Sequence, residues 1–212
     1  MRCREPSRPS SSPSRRPRPE LAVALLLSAA CTTATLPPPG VAEGAAAASS
    51  WSGSVRVSVK GKELRGGSRA LMAFRRPDAL RIEIPGPAGA RLIAVVRAGR
   101  LTAVLPAERA VLESAASAAE LEALLGVALQ PAEIMDVLVG VAPTGLREYR
   151  VRWGETLPRR VEAVLTDGTK LTATVDEAET GIDLPEAAFD PPPHAGYRPI
   201  DAAEARRLLG GR

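Results

Sequence analysis

The stretch WSGSVRVSVK at residues 51–60 alternates apolar and polar side chains, and it decides how the surrounding sequence is interpreted. In this stretch Val55, Val57 and Val59 alternate with serine and basic residues. Successive side chains of a strand point to opposite faces of a sheet, so this period of two predicts a strand with one buried face. The domain that begins here therefore contains a sheet with one apolar face.

The same alternation recurs downstream and predicts seven more strands. They lie at residues 69–75, 80–84, 92–96, 101–105, 149–153, 161–166 and 171–175. The connections are short, and Asp167-Gly168 in one of them is a strong signal for a hairpin turn. Strands that are joined by such short turns pair antiparallel with their sequence neighbours.

Two helices are predicted between the early and the late strands. Ser114 or Ser117 can cap a first helix that ends at Gly126, and Pro131 suits the first turn of a second helix that ends at Gly140. Each helix carries an apolar stripe that can cover the apolar face of the sheet. The sequence therefore predicts an α+β fold, with a curved antiparallel sheet that forms an incomplete β-barrel and helices as its lid.

The N-terminal segment has the layout of a secretory signal. Residues 1–20 are rich in arginine, serine and proline, and residues 21–30 form one apolar run. Ten helical residues cover only about 15 Å, half of a ~30 Å hydrocarbon core, so the run suits a signal peptide at residues 1–30 and is too short to span a bilayer.

The apolar run ends in Leu27-Ser28-Ala29-Ala30-Cys31, which resembles a bacterial lipobox. A lipobox predicts cleavage before Cys31 and lipidation of its thiol, although Ser28 stands where leucine is usual. The alternative is a general signal peptide that is cleaved at a site with small residues. Cys3 is the other cysteine, so a chain that starts at Cys31 contains no internal disulfide. Thr32 follows the cysteine, which is typical of lipoproteins of the outer membrane.

The basic charge of the chain is concentrated in the same N-terminal segment. The formal net charge is +4, and residues 1–20 contain six arginines against Glu5 and Glu20. The remaining residues are therefore formally neutral. A protein that binds a phosphate backbone needs clustered positive charge, so we expect no nucleic-acid binding.

The composition also argues against catalysis. His194 is the only histidine, and it lies in a proline-rich tail where we expect it to be exposed. With one histidine, which lies in the tail, and no free thiol, we expect neither a His/Cys metal site nor a Ser-His or Cys-His nucleophile. The neighbouring acids Asp176 and Glu177 fit a solvated turn. We expect no enzymatic activity, no metal and no cofactor.

Four regions follow from these patterns. Residues 1–30 are the signal peptide, and residues 31–50 are a lipidated cysteine with a flexible tether. Residues 51–190 form the half-barrel domain, and residues 191–212 are a proline-rich tail with a short helix near 201–209.

Three segments together resemble the LolA/LolB superfamily of lipoprotein carriers, nearest to its LolB branch. They are RRPDALRIEIPGPAGARLIAV at 75–95, LEALLGVALQPAEIMDVLVGVAP at 121–143 and VLTDGTKLTATV at 164–175. The resemblance covers about residues 51–190. It implies an outer-membrane, periplasm-facing lipoprotein that binds the acyl chains of lipoproteins or another lipid, with a soluble periplasmic carrier as a further partner. The alternative is a structural or regulatory envelope lipoprotein that uses the same fold to bind a protein.

The resemblance also assigns roles to individual residues. The apolar positions of the strands and helices would be core in any β domain, and the residues alone do not distinguish a filled core from a cavity. The resemblance favours a cavity lined by Val55, Val57, Met72, Phe74, Leu80, Ile82, Ile84, Leu92, Val96, Leu101, Ile134 and Leu138. It implies a delivery loop at Pro87, Ala88 and Gly89, in which Ala88 stands where the outer-membrane receptor carries a protruding leucine.

Overall fold

The computed structural model describes residues 36–61 and 65–210, all of which belong to one unit of the chain, Ala34–Arg212. The predicted signal peptide and Cys31 lie outside the described residues.

Within the described residues, the unit contains ten strands and four α-helices. The strands are β1 (Ser50–Lys60), β2 (Arg65–Arg75), β3 (Ala79–Gly86), β4 (Gly89–Arg97), β5 (Arg100–Leu105), β6 (Ala110–Ala115), β7 (Glu148–Trp153), β8 (Pro158–Val164), β9 (Lys170–Thr180) and β10 (Arg198–Pro199). The helices are α1 (Val41–Ala46), α2 (Ala118–Leu125), α3 (Pro131–Leu138) and α4 (Ala202–Leu208), and a 3-10 turn spans Glu186–Phe189.

All ten strands belong to one open sheet. Their order is β10-β6-β5-β4-β3-β2-β1-β9-β8-β7, and every pair is antiparallel except β10 with β6. β1 lies between β2 and β9 in this order. The first strand of the domain therefore joins the early strands to the late strands. The predicted α+β class, with an antiparallel sheet that does not close into a barrel, is confirmed.

The eight predicted strands are all present, and two were missed. β6 has the sequence AVLESA, in which three successive residues are buried, so it shows no alternation. β10 is only two residues long and contains Pro199. It is recognised as a strand only because it pairs with Ala110 and Val111. Neither strand carries the period of two by which the others are recognised.

The helix boundaries follow the predicted caps. Ser117 Oγ accepts a hydrogen bond from Glu120 N at 3.2 Å, and Gly126 ends α2 in the left-handed conformation. Gln130 N donates to Glu133 Oε2 at 2.7 Å at the start of α3. Gly140 follows α3 at φ 81°, and a Cβ there would lie 2.7 Å from Trp153 Cη2. Only glycine therefore allows the chain to turn so close to β7.

The main hydrophobic core lies between one face of the sheet and the helices. Its large and fully buried side chains include Trp51, Phe74, Leu80, Leu92, Leu101, Leu105, Leu121 and Met135. A smaller cluster lies on the other face, where Phe189 of the 3-10 turn packs on Ala79 and Val95. The segment after β9 therefore crosses to the second face of the sheet.

The domain extends beyond both predicted boundaries. Residues 31–50 were predicted as a flexible tether, yet α1 forms within them and Ala45 and Ala48 are buried. Residues 191–212 were predicted as a tail, yet β10 pairs with β6, and Ala205 of the predicted short helix is fully buried. Small alanines pack closely against the core without a strong apolar signal in the sequence, which is why composition did not reveal these contacts.

The prediction for the single histidine is also corrected. The His194 side chain is 27% exposed, with Nδ1 at 2.8 Å from the carbonyl oxygen of Pro192 and Nε2 at 3.6 Å from Glu113 Oε1. His194 therefore takes part in the packing of the C-terminal segment beside β6.

Candidate functional site

A cavity of about 720 Å³ lies between the inner face of the sheet and the helices. Strands β1, β2, β3 and β9 form its floor, and α2, α3 and the connection between them cover it. Its apolar lining consists of Val55, Val57, Val59, Ala70, Met72, Ile82, Ile84, Leu124, Leu125, Val127, Leu129, Ile134, Val137, Leu138, Leu171, Ala173 and Leu209. The volume is in the usual range of small-molecule sites, which are mostly apolar with a few polar groups.

The structure divides the predicted lining residues into two groups. Seven of them line the cavity: Val55, Val57, Met72, Ile82, Ile84, Ile134 and Leu138. The other five are packed in the filled core instead: Phe74, Leu80, Leu92, Val96 and Leu101. Each of these five is at most 4% exposed. These five residues do not line the cavity, whose apolar lining on the sheet comes from β1, β2, β3 and β9.

Ten apolar residues of the lining were not predicted from the sequence, and neither were its three arginines. Val127 and Leu129, for example, come from the connection between α2 and α3, for which no role was predicted. Three arginines, Arg65, Arg91 and Arg206, also line the cavity. They come from β2, β4 and α4, and no spacing in the sequence connects them.

A second pocket, of about 830 Å³, lies on the opposite face of the sheet. Its lining includes Arg69, Arg81, Glu83 and Asp176, together with the exposed Leu71. Although it is larger, charged side chains interrupt its apolar surface. The inner cavity is therefore the better site for an apolar ligand.

The predicted delivery loop forms the tight turn of the β3–β4 hairpin. Gly86 pairs with Gly89, and Pro87, Ala88 and Gly89 are all exposed. The turn follows Ile84, which lines the cavity, by a few residues. Ala88 presents only a methyl group, so the tip of the hairpin has little apolar surface to insert into a bilayer.

An ion pair connects the covering helix α3 to the end of β2. Arg76 Nη2 lies 2.7 Å from Asp136 Oδ1, and both side chains are less than one-third exposed. The Arg76 guanidinium also lies 5.5 Å from the centroid of the Phe74 ring. These contacts hold α3 beside the core next to the cavity.

Tyr149 of β7 lies close to this ion pair. Burial of its hydroxyl, and secondarily the negative charge of Asp136, raise the pKa of Tyr149 well above its ordinary value. Both effects disfavour the phenolate. Tyr149 is therefore a neutral side chain in the folded protein over the whole physiological range.

This shift predicts a loss of stability at alkaline pH. In the unfolded chain Tyr149 ionises near pH 10, whereas in the folded chain it keeps its proton, so its contribution to stability is complete below about pH 10 and falls as the pH rises above it. Between about pH 8 and about pH 11, urea unfolding should show a larger decrease in the free energy of unfolding for the original chain than for Tyr149→Phe. Equal losses in the two proteins would contradict this assignment.

The described residues contain neither a cluster of metal-binding side chains nor a helix that could span a membrane. In residues 36–61 and 65–210, no three side chains of His, Cys, Asp or Glu come together in a group that could hold a metal ion. Over the same part of the chain, no helix combines the length and apolar character needed to cross a membrane.

The fold and the cavity define an open-sheet α+β protein with an apolar cavity under helices, and comparison with known proteins gives only distant similarity. No protein family and no curated protein matches the chain. Among solved structures, a LolA superfamily protein from Nitrosomonas europaea is 12% identical, over 74% of this chain and 99% of that chain, with a TM-score of 0.44. An uncharacterized conserved protein from Thermus thermophilus is 12% identical, over 76% and 93%, with a TM-score of 0.43. The lipoprotein LppX from Mycobacterium tuberculosis is 12% identical, over 68% and 94%, with a TM-score of 0.36.

The first of these neighbours carries the name of the superfamily that the three sequence segments resemble. At such TM-scores, the similarities add no argument about fold or function.

Proposed function

We propose that the protein binds the acyl chains of lipoproteins, or another lipid, in the inner cavity, and that it acts in the sorting or insertion of lipoproteins. It would do so as a lipoprotein that is anchored through Cys31 to the outer membrane and faces the periplasm. The apolar cavity between sheet and helices carries this proposal.

The driving force for binding is the burial of methylene groups. Each methylene that leaves water contributes about 0.8 kcal/mol, and seventeen apolar residues of the cavity are available to receive a chain. The function requires binding and release alone, without covalent chemistry or a cofactor. Cargo would pass to or from a partner, such as a soluble periplasmic carrier, according to the difference in affinity between the two.

The test is native mass spectrometry of the full-length chain after export to a periplasm, with Cys31→Ser to prevent its own acylation. We expect a co-purifying lipid or acylated peptide, or uptake of an added acylated peptide. A protein that is empty and also fails to take up the added peptide would refute the proposal.

A second candidate function follows from the hairpin turn. Because Ala88 is small and exposed, the turn lacks the apolar side chain that would deliver cargo into a bilayer. This favours a structural or regulatory envelope lipoprotein that uses the fold to bind a protein partner. An empty cavity in the mass-spectrometric test, combined with stable capture of one envelope protein, would favour this second function.

The anchor makes a separate prediction. If Cys31 is lipidated, acyl chains hold the protein on the membrane, since each buried methylene adds about 0.8 kcal/mol and several chains make the attachment stable. Cys31→Ser should move the protein from the membrane fraction to the soluble fraction. Retention of the variant in the membrane fraction would show that the lipobox interpretation is wrong.

A further inference from the structure

The lining of the inner cavity is apolar except for one kind of charge. Arg65, Arg91 and Arg206 contribute to it, whereas the described lining residues include no aspartate or glutamate. We propose that the cavity selects amphiphiles with an anionic head group, a carboxylate or a phosphate, and that these arginines bind that group while the acyl chain enters the cavity. This inference rests on the proposed function and adds the chemical class of the ligand.

Arg91 is held in place by the backbone around it. Its Nη2 donates a hydrogen bond to the carbonyl oxygen of Leu209 at 2.8 Å. Its stem passes over Gly86, where an added Cβ would lie 2.5 Å from Arg91 Cγ. A guanidinium has five N–H donors, so this bond orients Arg91 and leaves donors for a ligand.

Arg206 lies on the last turn of α4 and is partly buried. Its neighbour Ala205 is fully buried, so the position of the helix against the core is fixed. None of the ion pairs between described residues uses Arg65, Arg91 or Arg206, whereas arginines elsewhere, such as Arg56 and Arg160, lie 2.7 Å from a carboxylate oxygen. The positive charges of the cavity arginines are therefore available to an anionic ligand.

The guanidinium group matches this ligand in geometry. Its planar fork of donors forms paired, charge-assisted hydrogen bonds with a carboxylate or a phosphate. A quaternary ammonium head group would meet repulsion at the same place, and an uncharged sugar would gain only neutral hydrogen bonds. The predicted order of affinity is therefore anionic, then neutral, then cationic, at equal chain length.

The test uses titration calorimetry of the full-length Cys31→Ser chain with four ligands that share a dodecyl chain, each below its micelle concentration. The ligands are dodecanoate, dodecyl phosphate, dodecyl maltoside and dodecyltrimethylammonium, and inorganic phosphate is added as a ligand without a chain. We expect the two anionic ligands to bind about tenfold more tightly than dodecyl maltoside, the effect of one charge-assisted hydrogen bond.

The double variant Arg91→Gln/Arg206→Gln should lose that advantage of about tenfold and keep its affinity for dodecyl maltoside. The matched control is Arg207→Gln, which removes the same charge from the adjacent, exposed position of α4 that does not line the cavity. This control should bind all ligands as the original chain does. If the double variant fails to fold, the order of ligand affinities measured on the original chain still shows whether the cavity prefers an anionic head group.

Two results would overturn the inference and leave the proposed function intact. One is equal affinity for the anionic, neutral and cationic dodecyl ligands. The other is inorganic phosphate binding as tightly as dodecyl phosphate, which would indicate a site for free anions beside the cavity. If none of the dodecyl ligands binds, the inference and the proposed function fail together.

Discussion

Ile134→Glu is expected to lower the affinity of the protein for dodecyl maltoside by about a hundredfold, because an acyl chain would have to displace the water around a buried carboxylate. Ile134 lines the cavity from α3 and is only partly buried in the structure. The new carboxylate can stay hydrated while the cavity is empty, so the protein should fold. The uncharged ligand ensures that the effect reports on the apolar chain alone.

The matched control for this variant is Ala132→Glu. Ala132 lies on the same helix and is exposed, and it does not line the cavity, so the control adds the same charge without entering the site. Titration calorimetry should show an affinity near that of the original chain for the control. If both variants bind like the original chain, the ligand does not occupy the cavity beside α3.

Trp51→Ala should give the largest loss of stability, about 3–5 kcal/mol in the free energy of unfolding. Trp51 is completely buried, and its ring is stacked on Phe74 with the centroids 6.2 Å apart and the planes at 5°. It lies on β1 opposite both Phe74 of β2 and Thr180 of β9, where the early and the late strands meet. Its removal would leave a cavity at the centre of the sheet.

Urea unfolding measures this loss directly. Trp51→Phe should cost less than Trp51→Ala, because a ring still stacks on Phe74. Leu71→Ala serves as the control, since Leu71 is 44% exposed on the opposite face of the sheet and should change stability by about 0.5 kcal/mol or less. If Trp51→Ala proved as mild as Leu71→Ala, the core at β1 would be packed differently from the structure.

The strands and helix ends were predictable because each depends on neighbours in the sequence. The alternation at 51–60 and in seven other segments marks a buried face without any knowledge of the partner strand. The caps at Ser117, Gly126 and Pro131 act within one turn of helix. The exceptions were elements without such local patterns, namely β6, β10 and α1.

The cavity was only partly predictable for a related reason. Val55, Met72 and Ile82 line it, and Leu80 and Leu92 do not, although all five are buried aliphatic or thioether side chains on predicted strands. Whether such a side chain meets another side chain or a space depends on where the helices lie across the sheet, and no single strand contains that information.

The sequence by itself determined the α+β class, the apolar face of the sheet, the helix boundaries and the neutrality of the chain after residue 20, since these follow from local patterns and composition. The tertiary structure decided which apolar residues surround the cavity, that the C-terminal segment belongs to the domain, and that Arg65, Arg91 and Arg206 line the same cavity. These three arginines are far apart in the chain, and only the pairing of strands and the packing of α4 bring them together.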